Sequence, residues 1–473
     1  MTLDFVDQLI SGFTHFVLWY VVIMGGLGVL QMVFALFVSS AHIAKERSYE
    51  YRLLGSSEHI IPVSLLATVY NEESNIVDTI KAIRNLNYIN YELIVINDGS
   101  TDNTLETIIN TFNLHKIIYP LRERIQTKEI RGIYCNPDMP HFKLIDKEHG
   151  GKSDSLNAGL NLSRYPYFVS LNAGAILEPD ALLRVAMAFI QNKYTVAAVG
   201  AVRVANGCHI EDGKILATGL PKKAGILFQA IENFRYYLVE RISWSALNSL
   251  LIISGTFQAF QKEAVLAAGA YTTGTVGGDT DMVLKLHRYM RSKKFRYRVC
   301  FLPEPICWTH VSIGFKSFKD RILRRQKGLM DALGRFKGMF LNPRYGIPGL
   351  FAMPGHFLRG MLSPFIELAA YIVIPLAWYF GHISTDSLVL FLIAAIGFGI
   401  ITSLGSVIAE IFCNSKYLRE RDVIKLSFIS IADNLFYRQL TLLFRLIGIF
   451  SYRKSNGKKR RQQKTNSGNN VGN

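Results

Sequence analysis

The chain has 473 residues, 49% of them hydrophobic, and a formal net charge of +17 at pH 7. Apolar residues gather in one run near the N-terminus and in further runs within the last quarter, which describes a membrane protein with a soluble middle and excludes a wholly soluble one. The charge does not point to nucleic acid, since no basic helix with interleaved aromatics occurs, and five scattered cysteines without a CxxC pair exclude a disulfide framework and a zinc site.

Residues 16–43 form an apolar run longer than the roughly 20 residues that cross a bilayer. Asp4 and Asp7 stand where a secretory signal would carry basic residues, so the run reads as a retained span. Lys45 and Arg47 follow at once, which predicts a cytosolic side for the next domain. From Ile61 the period changes. Residues 62–70 read as a buried strand, Asn71, Glu72 and Glu73 open a helix with Ile76, Ile80 and Ile83 on one face, and residues 91–98 read as a second strand. Asp98 ends that strand in Asp-Gly-Ser-Thr-Asp-Asn, which turns the chain and caps a further helix. This alternation predicts an α/β domain with a mainly parallel sheet flanked by helices. Ligand groups are expected at the carboxyl ends of its strands, where Tyr70, Asn71 and Asp98 lie.

Next come a His149-Gly150-Gly151-Lys152 loop, a helix starting near Ser153, and an apolar strand over residues 167–171. Asn172-Ala173-Gly174 follows, then a helix primed by Glu178, Pro179 and Asp180. Further strands are expected over 195–204, 253–260 and 298–308, with an aromatic-rich amphipathic helix over 225–251 and another helix from Val276 through Met290. Residues 315–340 are basic and amphipathic, suited to a helix in the cytosolic membrane interface. Residues 362–380 and 388–412 read as two more spans, followed by Lys416, Arg419 and Arg421. The stretch 424–450 holds Asp433, Arg438 and Arg445, whose mid-bilayer cost of several kcal/mol favours an interfacial helix pair over a fourth span. The expected organisation is therefore 1–50 span and basic flank, 51–312 cytosolic α/β domain, 313–358 interfacial helices, 359–415 two spans, 416–452 membrane-associated helices and 453–473 a basic tail, in a multi-pass inner-membrane protein.

Four groups of residues carry chemistry. Asp98 can accept from a nucleobase N–H or ribose hydroxyls, or simply make an Asx-turn. The glycines before Lys152 allow close backbone approach, and its ammonium suits a diphosphate or solvent. Asp279 can act as a general base or as a helix N-cap. Arg321, Arg324 and Arg325 can bind phosphate or anionic lipid.

In this order the motifs resemble the membrane-bound family-2 glycosyltransferases, which include cellulose, hyaluronan, chitin and poly-N-acetylglucosamine synthases. The resemblance runs from the first span through Tyr437-Arg438-Gln439-Leu440. It implies a GT-A-like fold, nucleotide-sugar contacts at Tyr70, Asn71, Glu72, Asp98, Lys152 and Asn172, a catalytic base at Asp279, and a diphosphate or acceptor side at Ser254, Gly255, Arg321, Arg324 and Arg325. Three positions depart from the family pattern. Asn172-Ala173-Gly174 replaces a metal-binding Asp-x-Asp, Gly278 replaces the acid before the base, and Arg321 and Arg325 replace the Gln and Trp of Gln-x-x-Arg-Trp. The resemblance implies Mg or Mn, but these residues supply no metal ligand set. The function implied is inverting transfer of a sugar from a UDP-sugar to a growing polysaccharide or a lipid-linked acceptor, among membrane lipids. The alternative is a catalytically impaired relative that binds nucleotide or polymer as a membrane subunit beside a partner.

Overall fold

The computed structural model of the chain describes residues 2–46, 57, 59–120, 123–253, 255–311, 314–413 and 419–452. Ser254 lies outside the described residues, so its expected site role has no structural counterpart below.

The chain opens with α1 (Thr2–Glu46), which contains Gln8–Ala41, the first of three helices long and apolar enough to cross a membrane. The α/β middle then begins with β1 (Val63–Val69), α2 (Ile76–Arg84), β2 (Tyr91–Asn97) and α3 (Thr104–Phe112). Three strands, β3 (His115–Ile117), β4 (Ile130–Cys135) and β5 (Phe142–Lys147), lead to α4 (Lys152–Leu162) and β6 (Tyr167–Asn172). After them come β7 (Ala175–Leu177), α5 (Ala181–Ile190), β8 (Thr195–Val204) and a small hairpin of β9 (His209–Glu211) and β10 (Lys214–Ala217). The domain closes with α6 (Ala224–Asn233), α7 (Glu240–Ala246), β11 (Phe257–Gln261), α8 (Lys262–Ala267), α9 (Gly278–Ser292) and β12 (Arg298–Thr309).

Ten strands form one mixed sheet in the order β3-β4-β5-β2-β1-β6-β11-β8-β12-β7. Its centre, β5-β2-β1-β6, is parallel, which follows from the strand–helix–strand rhythm of the sequence. Side chains alternate across it: Leu65, Ala67 and Val69 join a core with Ile76, Ile80 and Ile108, while Leu66, Ile94 and Ile96 face a second core with Leu156, Met282 and Leu286. Met32 and Ala35 of α1 belong to that second core. Thus the first helix packs into the domain as well as preceding it.

Three of the differences from the sequence reading concern the paths near the site and the membrane. Gly174, at φ +80°, folds the chain back after β6 so that the three-residue β7 pairs with the end of β12. Such a strand is too short to show a period. The amphipathic stretch expected over 225–251 is broken by a π-helical turn, Phe234–Val239, between α6 and α7. The last apolar stretch is one helical path over 420–452, starting with α13 (Glu420–Ala432), in place of two separate helices. Its charges do not break it because Asp433 pairs with Arg235 at 2.8 Å and Arg438 with Glu367 at 3.3 Å.

Between these parts, α10 (Phe315–Arg335) crosses the mouth of the α/β domain. The second apolar helical run, Pro348–Tyr379, includes α11 (Ser363–Tyr379), and the third is α12 (Thr385–Cys413). Three such helices make this a membrane protein. Helices α1 and α12 approach closely at glycine: a Cβ on Gly405 would lie 1.6 Å from the Met32 sulfur.

Candidate active site

The carboxyl ends of β1, β2 and β6 meet at one edge, where two loops are clasped together. Asn71, at φ 52°, accepts from the Thr101 N–H at 2.8 Å and donates to the Thr101 hydroxyl at 3.1 Å. The Glu72 carboxylate accepts from Asn75 at 3.0 Å. Tyr70 is exposed and packs at a tilt against His149, with ring centroids 4.7 Å apart. His149 adds a second ring at this edge, outside the expected contact set.

Asp98 is buried, and its carboxylate accepts from Lys147 at 2.9 Å, Gly150 N–H at 3.0 Å, Gly151 N–H at 2.8 Å and Ser155 Oγ at 2.8 Å. Lys147, Gly150 and Ser155 converge on Oδ1, while Gly151 reaches Oδ2, with His149 Nδ1 also 3.0 Å from Oδ2. Burial raises its pKa, but the Gly150 N–H, Lys147 and Ser155 outweigh that and hold it below the ordinary carboxylate range. In the structure Asp98 therefore organises the Gly-Gly-Lys loop, where the sequence points to a nucleotide contact.

That loop delivers Lys152 to the start of α4. Its ammonium donates to the Gly255 carbonyl at 2.6 Å and to both Asp279 oxygens at 3.0 Å. Gly255 is required by this contact, because a Cβ there would sit 2.0 Å from Asp279 Oδ2. Two residues on, Asp281 is buried against Thr272 and Arg335, at 2.7 and 3.2 Å, and ties α9 to α10. The two acids thus divide the work: Asp281 is structural, and Asp279 faces a cavity.

The cavity has a volume of ≈ 530 Å³, and Lys152, Asn172, Gly255, Asp279, Arg321, Arg324 and Arg325 all line it; a separate chamber of ≈ 190 Å³ neighbours it. Tyr70, Asn71, Glu72 and Asp98 do not line it and stand at the adjoining strand ends. Its roof is α10, held close because Gly277 and Gly328 meet: a Cβ on Gly277 would be 3.1 Å from the Gly328 carbonyl. Arg325 reaches buried Glu232 at 3.2 Å and stacks over Tyr236 and Tyr237 at 5.3 and 4.7 Å. Arg321 lies 3.8 Å from the same carboxylate. Burial raises the Glu232 pKa, but Arg325 and Arg321 outweigh it and keep the group ionised. Arg324, by contrast, is exposed and has no carboxylate within salt-bridge distance among the described residues. Trp244, Glu240, His356 and Arg445 also line it, from elements far apart in sequence and without a motif to announce them.

The residues present do not fit a divalent metal. Asn172 offers one buried, unpartnered amide oxygen, and Gly174 offers none. Asp279 is already paired with Lys152. No cluster of three or more His, Cys, Asp or Glu suited to a metal occurs among the described residues. Mg and Mn prefer several ionised oxygens. Glu178, one turn beyond, instead accepts from the Trp308 indole at 2.5 Å.

Residues 64–265 match Glycosyl transferase family 2, and this part of the chain is a family-2 glycosyltransferase domain. More particularly, the chain resembles poly-beta-1,6-N-acetyl-D-glucosamine synthase. It is 29% identical to that of Staphylococcus epidermidis over 297 residues, which cover 62% of this chain and 60% of the relative. The Staphylococcus aureus protein is 27% identical over 297 residues, covering 63% of this chain and 60% of its own length. The match thus spans 60% of the length of these curated relatives. Among solved structures, a mannosyltransferase from Pyrobaculum calidifontis in complex with GDP-Man and Mn2+ aligns with TM-score 0.48 and 16% identity, covering 86% of this chain and 99% of that one. S. aureus TarS 1-349 in complex with UDP-GlcNAc aligns with TM-score 0.38 and 13% identity, covering 80% and 92%.

Proposed function

We propose that the protein is an inverting membrane glycosyltransferase that takes a sugar from a UDP-sugar on the cytosolic side and adds it to a glycan acceptor at the membrane. The observation that carries this reading is Asp279, whose carboxylate opens on the ≈ 530 Å³ cavity beside Lys152 and beneath the arginines of α10. The acceptor hydroxyl attacks the anomeric carbon as Asp279 takes its proton, and the bond to the UDP oxygen breaks on the opposite face. The leaving diphosphate is neutralised by Lys152 and by Arg324, which has no carboxylate partner among the described residues. Polysaccharide synthesis as the particular outcome is supported by the likeness to poly-beta-1,6-N-acetyl-D-glucosamine synthase.

A second reading is favoured by the same ion pair. Asp279 bound to Lys152 on both oxygens is a base already occupied, as a nucleotide-binding subunit without turnover would have. UDP release by the detergent-solubilised protein, over a panel of UDP-sugars with an acceptor glycan, separates the two. Release that disappears in Asp279→Asn supports the transferase; UDP binding without release from any donor supports the silent subunit.

A further inference from the structure

The neighbouring chamber of ≈ 190 Å³ lies between α1, α11 and α12, inside the apolar helices. Along α1 its wall is Val17, Tyr20, Val21, Met24, Gly28 and Gln31, which share one helical face. Val17, Val21, Met24, Ala370, Phe391 and Ala395 make one end hydrocarbon. At the other end four guanidinium groups, Arg235, Arg359, Arg438 and Arg445, face two carboxylates, Glu240 and Glu367.

Most of these charges are matched. Arg438 meets Glu367 at 3.3 Å, Arg359 lies 3.9 Å from Glu240, and Arg235 meets Asp433 at 2.8 Å. Arg445 has no carboxylate within 4.0 Å among the described residues and rests on the Tyr236 ring, 5.1 Å from its centroid. Burial raises the Tyr236 pKa, but Arg445 and Arg235 outweigh it and lower the phenol, a sign of surplus positive charge. Tyr236, Glu240, Arg359 and Arg445 line this chamber and the active-site cavity alike, so the cationic end opens towards Asp279.

We infer that this chamber binds a single-chain lipid phosphate, with its tail among Val17, Val21 and Phe391 and its phosphate on Arg445 and Arg359 at the roof of the active site. A half-buried guanidinium with no carboxylate within 4.0 Å among the described residues leaves its charge largely uncompensated, and a phosphate headgroup supplies the missing charge. A bare sugar chain does not suit the apolar end, because its hydroxyls would find no partners there. The binding stands on its own geometry, while its use as the acceptor's carrier rests on the transferase reading.

The test is binding of farnesyl phosphate to the full chain in detergent micelles, with farnesol, inorganic phosphate and dioleoyl phosphatidic acid as comparators and UDP binding measured in parallel. Farnesyl phosphate is expected to bind at least about tenfold tighter than farnesol, since one charge-assisted contact is worth that much, and likewise tighter than inorganic phosphate, which has no tail for the apolar end, and than dioleoyl phosphatidic acid, which brings a second chain. Arg445→Ala should bring its affinity close to that of farnesol, and Arg445→Lys should restore part of it. Ala395→Trp, which fills the apolar end, should weaken it by about tenfold while UDP affinity stays unchanged, which also shows the variant to be folded. Equal affinity for any comparator overturns the proposal, as does indifference to Ala395→Trp. Absence of UDP binding alongside intact lipid binding would count against the transferase reading alone.

Discussion

Asp98 offers the sharpest contest between a structural and a ligand-contacting role, and Asp98→Ala separates them. The substitution removes the acceptor for two backbone N–H groups, the Ser155 hydroxyl and the Lys147 ammonium. Lys147 is wholly buried and keeps Asp154 at 2.7 Å, so its charge is not stranded. Breaking a buried charged pair costs about 3–5 kcal/mol, and the surviving Asp154 contact places this case near 3 kcal/mol. In a domain of this size each kcal/mol lowers the thermal midpoint by roughly 2–4 °C, so a fall of roughly 6–12 °C is expected. Thermal unfolding of the detergent-solubilised protein reads it directly. The pH dependence has a definite sign: the Asp98 pKa is lowered in the folded state, so its contribution is complete above the unfolded value of about 4 and disappears as pH falls through the lower folded value. The advantage of the wild type over Asp98→Asn should therefore shrink only in acid. A midpoint shift below about 2 °C with UDP binding abolished would refute the argument, because it would make Asp98 a ligand contact and no organiser of the loop.

Other outcomes follow from the site. UDP affinity should stay within about twofold when EDTA or Mn2+ is added, because no ionised ligand set stands at Asn172 and Gly174; a strong metal requirement in a calorimetric titration would overturn that. Asp279→Asn should lower turnover by about 10²–10⁴-fold with UDP affinity nearly intact, and parallel loss of both would shift its role to binding. Gly278→Glu should destabilise by about 1–3 kcal/mol, since a Cβ there would already stand 2.4 Å from Ser153 Oγ, and Ser153→Gly should recover part of the loss in chemical denaturation.

The clash at Gly278 also shows what a sequence can and cannot display. The strands ending at Tyr70, Asp98 and Asn172 were legible because each is a buried apolar run closed by a polar turn, and the three places where the family pattern breaks were visible as residue types. The reasons behind them were not. Ser153 crowds Gly278 from more than a hundred positions away, and the donors that hold Asp98 arrive from the end of β5 and the start of α4. Arg324 and Arg325 are neighbours in sequence, yet only Arg325 is tied to Glu232 of α6. Trp244, His356 and Arg445 share the cavity without sharing a pattern. The strands β3, β4 and β5, between Phe112 and the Gly-Gly-Lys loop, escaped notice because β3 and β4 are short and of mixed polarity and β5 carries Lys143, Asp146 and Lys147 within its six residues.

The way α1 enters the domain bears on how this protein can be handled and how it could have been assembled. Met32 and Ala35 are part of the core beneath the sheet, and the Gln31 carbonyl accepts from Ser243 Oγ of α7 at 3.0 Å. Cutting the chain after the first span would strip a wall from that core and leave an apolar face in water. A water-soluble fragment beginning near Val63 is therefore expected to aggregate. The α/β domain and α1 share one core, and a transplant of the domain onto another membrane helix would have to rebuild that wall.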